Sequence, residues 1–246
     1  MNEKIRVSII TVCFNCVDDI EETLISVVSY LQSGVEYIVV DGGSTDGTLD
    51  VINKYRSNIS VFISEKDEGI YDAMNKGMDK AKGQWCIFIN AGDRLMSIPQ
   101  ILLDDQLDSY SAVFCSVSAE KGRVICPYYN WRIRYKNTIP HQGAFYNIGI
   151  ENFHYDIHYK VFADYDLNLR MYLAKRIIRL LPSEVVAFHS CDGISNNKRY
   201  SRESYNIVRK HSGLIFLFLS FIHKKKMGLE IRYRNVRQKL MSRIIV

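Results

Sequence analysis

Glycine is missing where a dinucleotide enzyme would need it. The first apolar stretch, residues 6–12, runs into Cys13-Phe14-Asn15-Cys16, with no Gly-x-Gly-x-x-Gly turn. No G-x-x-x-x-G-K-[ST] loop occurs, which excludes a P-loop nucleotidase. A G-x-S-x-G hydrolase elbow and His/Glu zinc motifs are also absent. Proline is scarce, at 4 of 246 residues, and no low-complexity run is present, which argues against long disordered linkers. Of six cysteines, Cys13 and Cys16 form one C-x-x-C without a second, which argues against a four-cysteine zinc site. The pair reads either as a redox motif or as two small residues at a strand end in a reducing compartment. The longest apolar run, 214–222, has nine residues against the roughly 20 that a membrane span needs. The start, MNEKIRVSII, lacks the apolar core of a signal peptide.

What is present is an uneven charge. Net charge is +5, yet residues 196–246 carry 13 Lys/Arg against Glu203 and Glu230, a net +11. The other 195 residues hold 19 basic and 25 acidic side chains, a net −6. An acidic body speaks against a nucleic-acid partner. A basic tail with an apolar patch suits an anionic membrane surface, where each nearby Lys or Arg contributes about 1 kcal/mol. The alternative is a solvated helical face.

Residues 6–89 alternate strand and helix. Strands are expected at 6–12, 37–40, 59–64 and 85–89. A helix starts from Asp18 or Asp19 with Ile20, Leu24, Val27, Val28 and Leu31 on one face. Others are expected at 48–55 and 70–82, the last ended by Gly83. This order builds a mostly parallel sheet with right-handed crossovers, whose ligand crevice lies outside the carboxyl ends of the strands. Asn15, Asp41, Asp67 and Asp93 follow the four strands at that rim, 26 residues apart each time. Converging carboxylates need a cation or donor groups between them, which a nucleoside diphosphate with a divalent metal supplies. Further strands are expected at 112–117, 124–127, 141–146 and 185–188. A helix starts near Asp164, a polar loop spans 189–196, and 200–211 is helical before the basic tail.

Taken together, VSIITVCFN at 7–15, VVDGGSTDGT at 39–48, SEKDEGIYDAMNKG at 64–77, AKGQW at 81–85 and FINAGD at 88–93 resemble family 2 glycosyltransferases. His141-Gln142 and ADYDL at 163–167 extend the likeness to about residue 170. The resemblance implies the GT-A fold, an α/β architecture with a Rossmann-like sheet flanked by helices. It places Thr11, Asn15, Asp41, Ser44, Asp67, Gly69, Asn75 and Asn90 around a nucleotide sugar, usually a UDP-sugar. A carboxylate such as Asp41 accepts the imide N–H of uracil; an Asx turn is the structural alternative.

The family's metal motif is richer in acid. Here Asn90 and Gly92 stand at two acidic positions, leaving Asp93 as the charged ligand for Mn²⁺ or Mg²⁺. A hard divalent ion takes one or two carboxylates plus phosphate oxygens, so one is enough. His189 is the candidate further metal or phosphate contact. Asp164 is the candidate general base for the acceptor hydroxyl. Asp166 is its neighbouring rival, and Asp166, His141 and Gln142 are assigned to the acceptor side. The implied enzyme is an inverting, metal-dependent hexosyl- or N-acetylhexosaminyltransferase acting on a glycan acceptor. The expected acceptor is a polyprenyl-diphosphate-linked sugar of bacterial surface polysaccharide (O-antigen or capsule), met at the inner face of the cytoplasmic membrane. Residues 1–97 form the nucleotide-sugar half and 98–195 the acceptor half of one domain; 196–246 form a helical basic tail. The alternatives are transfer to polyprenyl phosphate or protein, and a non-catalytic nucleotide-sugar-binding module.

Overall fold

The structure is a computed structural model that describes residues 4–149, 153–190 and 200–244, with the backbone alone for 105, 201 and 228–244. Strand β1 (Val7–Cys13) is buried along its whole length. It lies between β2 (Val35–Asp41) and β4 (Trp85–Phe88), both parallel to it. Paired on both edges and covered on both faces, VSIITVC has no solvated side, hence its near-continuous apolar run. Its side chains still alternate between two cores. Val7 and Ile9 join Ile20, Leu24 and Val27 from α1 (Ile20–Val28). Ile10 and Val12 join Met74 and Met78 from α3 (Ile70–Lys80). Each fully buried Ile contributes roughly 1.5–3 kcal/mol. Gly77 lets α3 lie directly on β1, since a Cβ there would stand 2.6 Å from Ile10 Cγ2.

Helix α2 (Thr48–Lys54) leads to β3 (Val61–Ser64), which pairs in parallel outside β2. The order β3-β2-β1-β4 makes the chain wind one way from β1 and then cross back to its other side. That reversal opens a crevice at the carboxyl ends of β1 and β4. The expected strand–helix alternation over 6–89 is observed, with ends displaced by a few residues.

The same sheet continues through β8 (Ala144–Asn147), β6 (Ala112–Ala119), β9 (Ile178–His189) and β5 (Arg94–Leu95), with β7 (Arg123–Ile125) on β6. Here β8 is antiparallel to β4 and β6, while β9 is parallel to β6. The parallel character thus belongs to the first half.

Two expected elements change. Residues 141–146 are not all strand: His141–Gly143 form a 3-10 turn, closed by Gly143 N–H donating to the Pro140 carbonyl at 3.1 Å. A Cβ on Gly143 would meet the Cys115 carbonyl oxygen at 2.4 Å, so this turn needs glycine to lie against β6. Strand β9 is longer than the expected 185–188, because its pairing with β6 shifts register around Ser116. There Ser116 Oγ donates to the Pro182 carbonyl at 2.7 Å, so the proline sits at an irregularity rather than inside a regular ladder.

Helix α4 (Ala163–Leu173) begins one residue before Asp164. Helix α5 (Ser201–Ile244) is broken at Gly213 (φ 81°). Tyr205 and Phe221 stack at 4.3 Å, and Lys224 Nζ donates to Ser204 Oγ at 2.6 Å. Sixteen residues of straight helix would span about 24 Å, so α5 doubles back into two arms. Among the described residues no helix is long and apolar enough to cross a membrane.

Candidate active site

The ends of β1 and β2 are laced together by short loops. Asp41 is closed to solvent. Its carboxylate accepts from Gly43 N–H at 3.0 Å, Ser44 N–H at 3.1 Å and Ser64 Oγ at 2.8 Å. Ser44 Oγ accepts from Asn15 N–H at 2.8 Å, and Asn15 Oδ1 accepts from Thr45 N–H at 2.9 Å. Thr48 Oγ1 takes Cys16 N–H, and Asp46 takes Val17 N–H. The Asp41 carboxylate thus makes the Asx-type turn bonds weighed as its structural alternative, and holds the loop after β2. Cys13 is buried and Cys16 half-buried, both as free thiols within this lacing.

Two other residues expected on the donor side are engaged within the protein. Thr11 is fully buried, donating to the Ile89 carbonyl at 2.7 Å and accepting from the Tyr37 hydroxyl at 2.9 Å. It ties β1 to the end of β4 and faces the core. Asn75 spends both ends of its amide on the Tyr155 backbone, at 2.9 and 3.0 Å, and so staples α3 to the segment at Tyr155. Both residues fit the apolar spacing around them; only their partners show the role.

Asp67 stands differently. It is half-buried and accepts from Gly69 N–H at 2.9 Å at the start of α3. Its Oδ2 would lie 2.4 Å from a Cβ on Gly42, and Phe14 Cβ 3.4 Å from it. Gly42 is thus packed directly against the Asp67 carboxylate and the base of Phe14, whose ring is 60% exposed. Phe14 escaped the sequence reading, although an apolar residue at a polar rim was its signal.

Asp93 is only 5% exposed. Its Oδ2 accepts from Gln142 Nε2 at 2.9 Å, while its Oδ1 lies 3.0 Å from His189 Nδ1 and accepts from Ser190 N–H at 3.2 Å. Gln142 Nε2 is also 2.9 Å from His189 Nδ1. Sheet register produces this meeting: Arg94 pairs with Phe188, so the residues flanking that pair, Asp93 and His189, fall side by side. Gln142, expected on the acceptor side, thus lies against the Asp93–His189 pair. Asn90 closes the turn by accepting Asp93 N–H at 2.9 Å, with Gly92 at φ 91°. The side-chain Oδ1 of Asn90 is buried without a partner.

The described residues hold no cluster of three or more His, Cys, Asp and Glu able to grip a metal. A carboxylate and an imidazole 3.0 Å apart nevertheless fit two adjacent ligands of one ion with bonds of about 2.1 Å. Diphosphate oxygens and water complete such a sphere.

Across the crevice, Asp164 is 6% exposed. It accepts from Asn137 Nδ2 at 3.0 Å, and the Tyr71 hydroxyl, which donates to the Val161 carbonyl at 2.6 Å, lies 3.3 Å away. Burial, then the Asp164 charge, push the Tyr71 hydroxyl well above its usual range, so it stays a donor. Nothing in the sequence pattern marked Tyr71 or Asn137. Asp166, one helical step on, is taken: Arg170 Nε and His211 Nε2 each hold it at 2.7 Å. Burial opposes its charge, but those two bonds win and lower its pKa. Asp166 thus anchors α4 to α5 and is corrected from the acceptor site.

His141 lies in the field of Asp164, Asp93 and His189. Its ring stacks on Phe88 at 5.5 Å, and both ring nitrogens are buried without a partner. Burial lowers its pKa, so the imidazole is neutral at pH 7. Most of the polar loop at 189–196 lies outside the described residues.

A model of glycosyl transferase family 2 matches residues 8–97. A PGL/p-HBAD biosynthesis glycosyltransferase of Mycobacterium tuberculosis is 31% identical over 182 residues, covering 65% of this chain and 68% of that protein. The chain belongs to glycosyltransferase family 2. Solved structures carry the same fold, as expected for GT-A. S. aureus TarS 1-349 in complex with UDP-GlcNAc aligns with a TM-score of 0.67 at 19% identity, over 83% of this chain and 65% of that one. The mannosyltransferase PcManGT from Pyrobaculum calidifontis, in complex with GDP-Man and Mn²⁺, aligns with a TM-score of 0.58 at 19% identity, over 89% and 64%. This family 2 chain thus spans a little under two thirds of either structural neighbour.

Proposed function

We propose that the protein is an inverting glycosyltransferase that moves a hexosyl or N-acetylhexosaminyl group from a UDP-sugar to a lipid-linked glycan at the inner membrane face, in surface polysaccharide synthesis. The observation that carries this reading is the pairing of Asp93–His189 with Asp164 around His141, whose nitrogens have no protein partner. Buried polar atoms in native proteins are nearly always satisfied, so such orphans mark where a ligand binds.

The nucleobase stacks on the exposed Phe14 ring, with Asp67 beside it as acceptor for the uracil imide. Asn15 and Ser44 hold the loops next to it, and Gly69 opens α3 beside Asp67. Asp93 and His189 would hold a divalent Mn²⁺ or Mg²⁺ ion, which supplies charge neutralisation at the diphosphate leaving group. Gln142 keeps those two side chains in place. Asn90 Oδ1 and His141 face the transferred sugar. Asp164, held by Asn137 Nδ2, takes the proton from the acceptor hydroxyl as it attacks the anomeric carbon. Attack from the side opposite the diphosphate inverts the anomeric centre.

The bound donor of TarS supports a UDP-sugar, and the Mn²⁺ of PcManGT supports a metal; the GDP-Man of PcManGT supplies the rival donor. The test is a screen of UDP-glucose, UDP-galactose, their N-acetylated forms and GDP-mannose, with Mn²⁺ and synthetic polyprenyl-diphosphate sugars. Transfer from one UDP-sugar with inverted configuration, lost in Asp164→Asn, is the expected result. Tight UDP-sugar binding without transfer to any acceptor would make the protein a binding module instead.

A further inference from the structure

The second arm of α5 shows solvent an apolar stripe. Leu214, Ile215, Phe218, Phe221 and Ile222 are 49% to 77% exposed. Their spacing, i, i+1, i+4, i+7 and i+8, puts them on one helical face. The opposite face clamps the arm to the body. Arg134 lies over the Phe216 ring at 4.0 Å, the Tyr135 ring meets His223 at 5.8 Å, and Ser220 is 2% exposed. The stripe is therefore held outward in one orientation. Exposed Lys225 and Lys226 follow it. Trp131, 52% exposed, touches Tyr135 and so borders the same arm.

We infer that this stripe, with Lys225, Lys226 and Trp131, is a docking surface that lies in the interface of an anionic lipid bilayer. Charge selects this occupant over a second copy of the chain. Residues 196–246 carry a net +11, which repels an identical segment and is drawn to anionic headgroups. Apolar side chains on one face, lysines beside them and an edge tryptophan are the features of a helix lying flat in a membrane interface.

The surface is also bolted to the acceptor side. On the first arm, the Glu203 carboxylate accepts from Lys160 and Val161 N–H at 2.9 and 3.0 Å, and His211 holds Asp166. Asp164 lies between those anchors in the chain. On the reading of Asp164 as the acceptor base, docking sets the height at which a lipid-held hydroxyl meets it.

The test uses the full chain with phosphatidylglycerol/phosphatidylcholine vesicles and with phosphatidylcholine alone, read by co-sedimentation, alongside the thermal shift given by UDP. Wild type is expected to pellet with anionic vesicles and to be released by 0.5 M salt. Lys225→Gln/Lys226→Gln weakens binding roughly thirtyfold, about fivefold per lysine. Ile215→Glu/Phe218→Glu/Ile222→Glu abolishes it while keeping the UDP shift. Wild type left in the supernatant, or the triple variant pelleting like wild type, overturns the inference. So does a lipid-free dimer that the triple variant converts to monomer. Vesicle binding without any UDP shift leaves the docking surface standing and sinks the donor reading instead.

Discussion

Two regions of one crevice treat their polar atoms in opposite ways. At the ends of β1 and β2, Asp41, Asn15, Ser44 and Thr48 answer one another at 2.8–3.1 Å. At the ends of β4 and β8, Asn90 and His141 bury polar atoms with no partner. Leaving such groups unmade costs about 1–3 kcal/mol each, a cost that persists where a ligand repays it on binding. On the proposed reading the first region is scaffold that shapes a wall, and the second is where the ligand binds. Residue type does not separate them, since each contains a rim carboxylate.

The contrast breaks most visibly at Asp164. Asp164→Asn is expected to lower kcat by roughly 10²–10⁴-fold while UDP still raises the melting temperature. Full activity in that variant would move the base elsewhere. On the leaving-group side, Gln142→Ala is expected to weaken Mn²⁺ affinity by about 10–100-fold, the usual effect of losing a residue that orients metal ligands. Titrating turnover against Mn²⁺ reads it directly, and Asp93→Ala should remove the metal dependence altogether.

The scaffold side should respond in stability instead. Asp41→Ala strands two N–H donors and a hydroxyl, and denaturant unfolding should show a loss of about 3 kcal/mol. Preference for UDP over CDP should be unchanged; a loss of that preference would return the base-reading role to Asp41. Asp166 adds a pH dependence. Its folded pKa lies below the unfolded value near about 4, so its stabilisation is full above that value and fades as pH falls through the folded pKa. Acid unfolding of Asp166→Asn should lack this limb below about pH 4. The smallest effect is expected for Thr11→Val, about 1 kcal/mol of stability with KM for UDP-sugar unaltered.

The sequence made the first ninety residues legible because buried parallel strands and amphipathic helices write their periods plainly, as VSIITVC does. The rim was legible too, since crossover lengths return Asp41, Asp67 and Asp93 to one edge. Which carboxylate does what was not, because partners decide it. Asp41 and Asp67 look alike until Ser64 and two loop N–H groups claim the first. Asp164 and Asp166 look alike until Arg170 and His211 claim the second. The sparse acid of Asn90-Ala91-Gly92-Asp93 also has a backbone reason. Gly92 sits at φ 91°, where an Asp would be strained, so the turn itself disfavours a second carboxylate there. On the proposed reading His189 compensates, brought by β9 beside Asp93, 96 residues away in sequence, through a pairing that no local pattern shows.

His141→Phe tests the contrast most directly, because it removes two unpartnered buried nitrogens while keeping a ring against Phe88. Melting temperature and kcat/KM measured on the same preparation decide it. The account predicts an unchanged or raised melting temperature with kcat/KM lowered about 10–100-fold, the worth of one or two ligand hydrogen bonds. A lowered melting temperature with kcat/KM intact would contradict it, showing that His141 belongs to the scaffold.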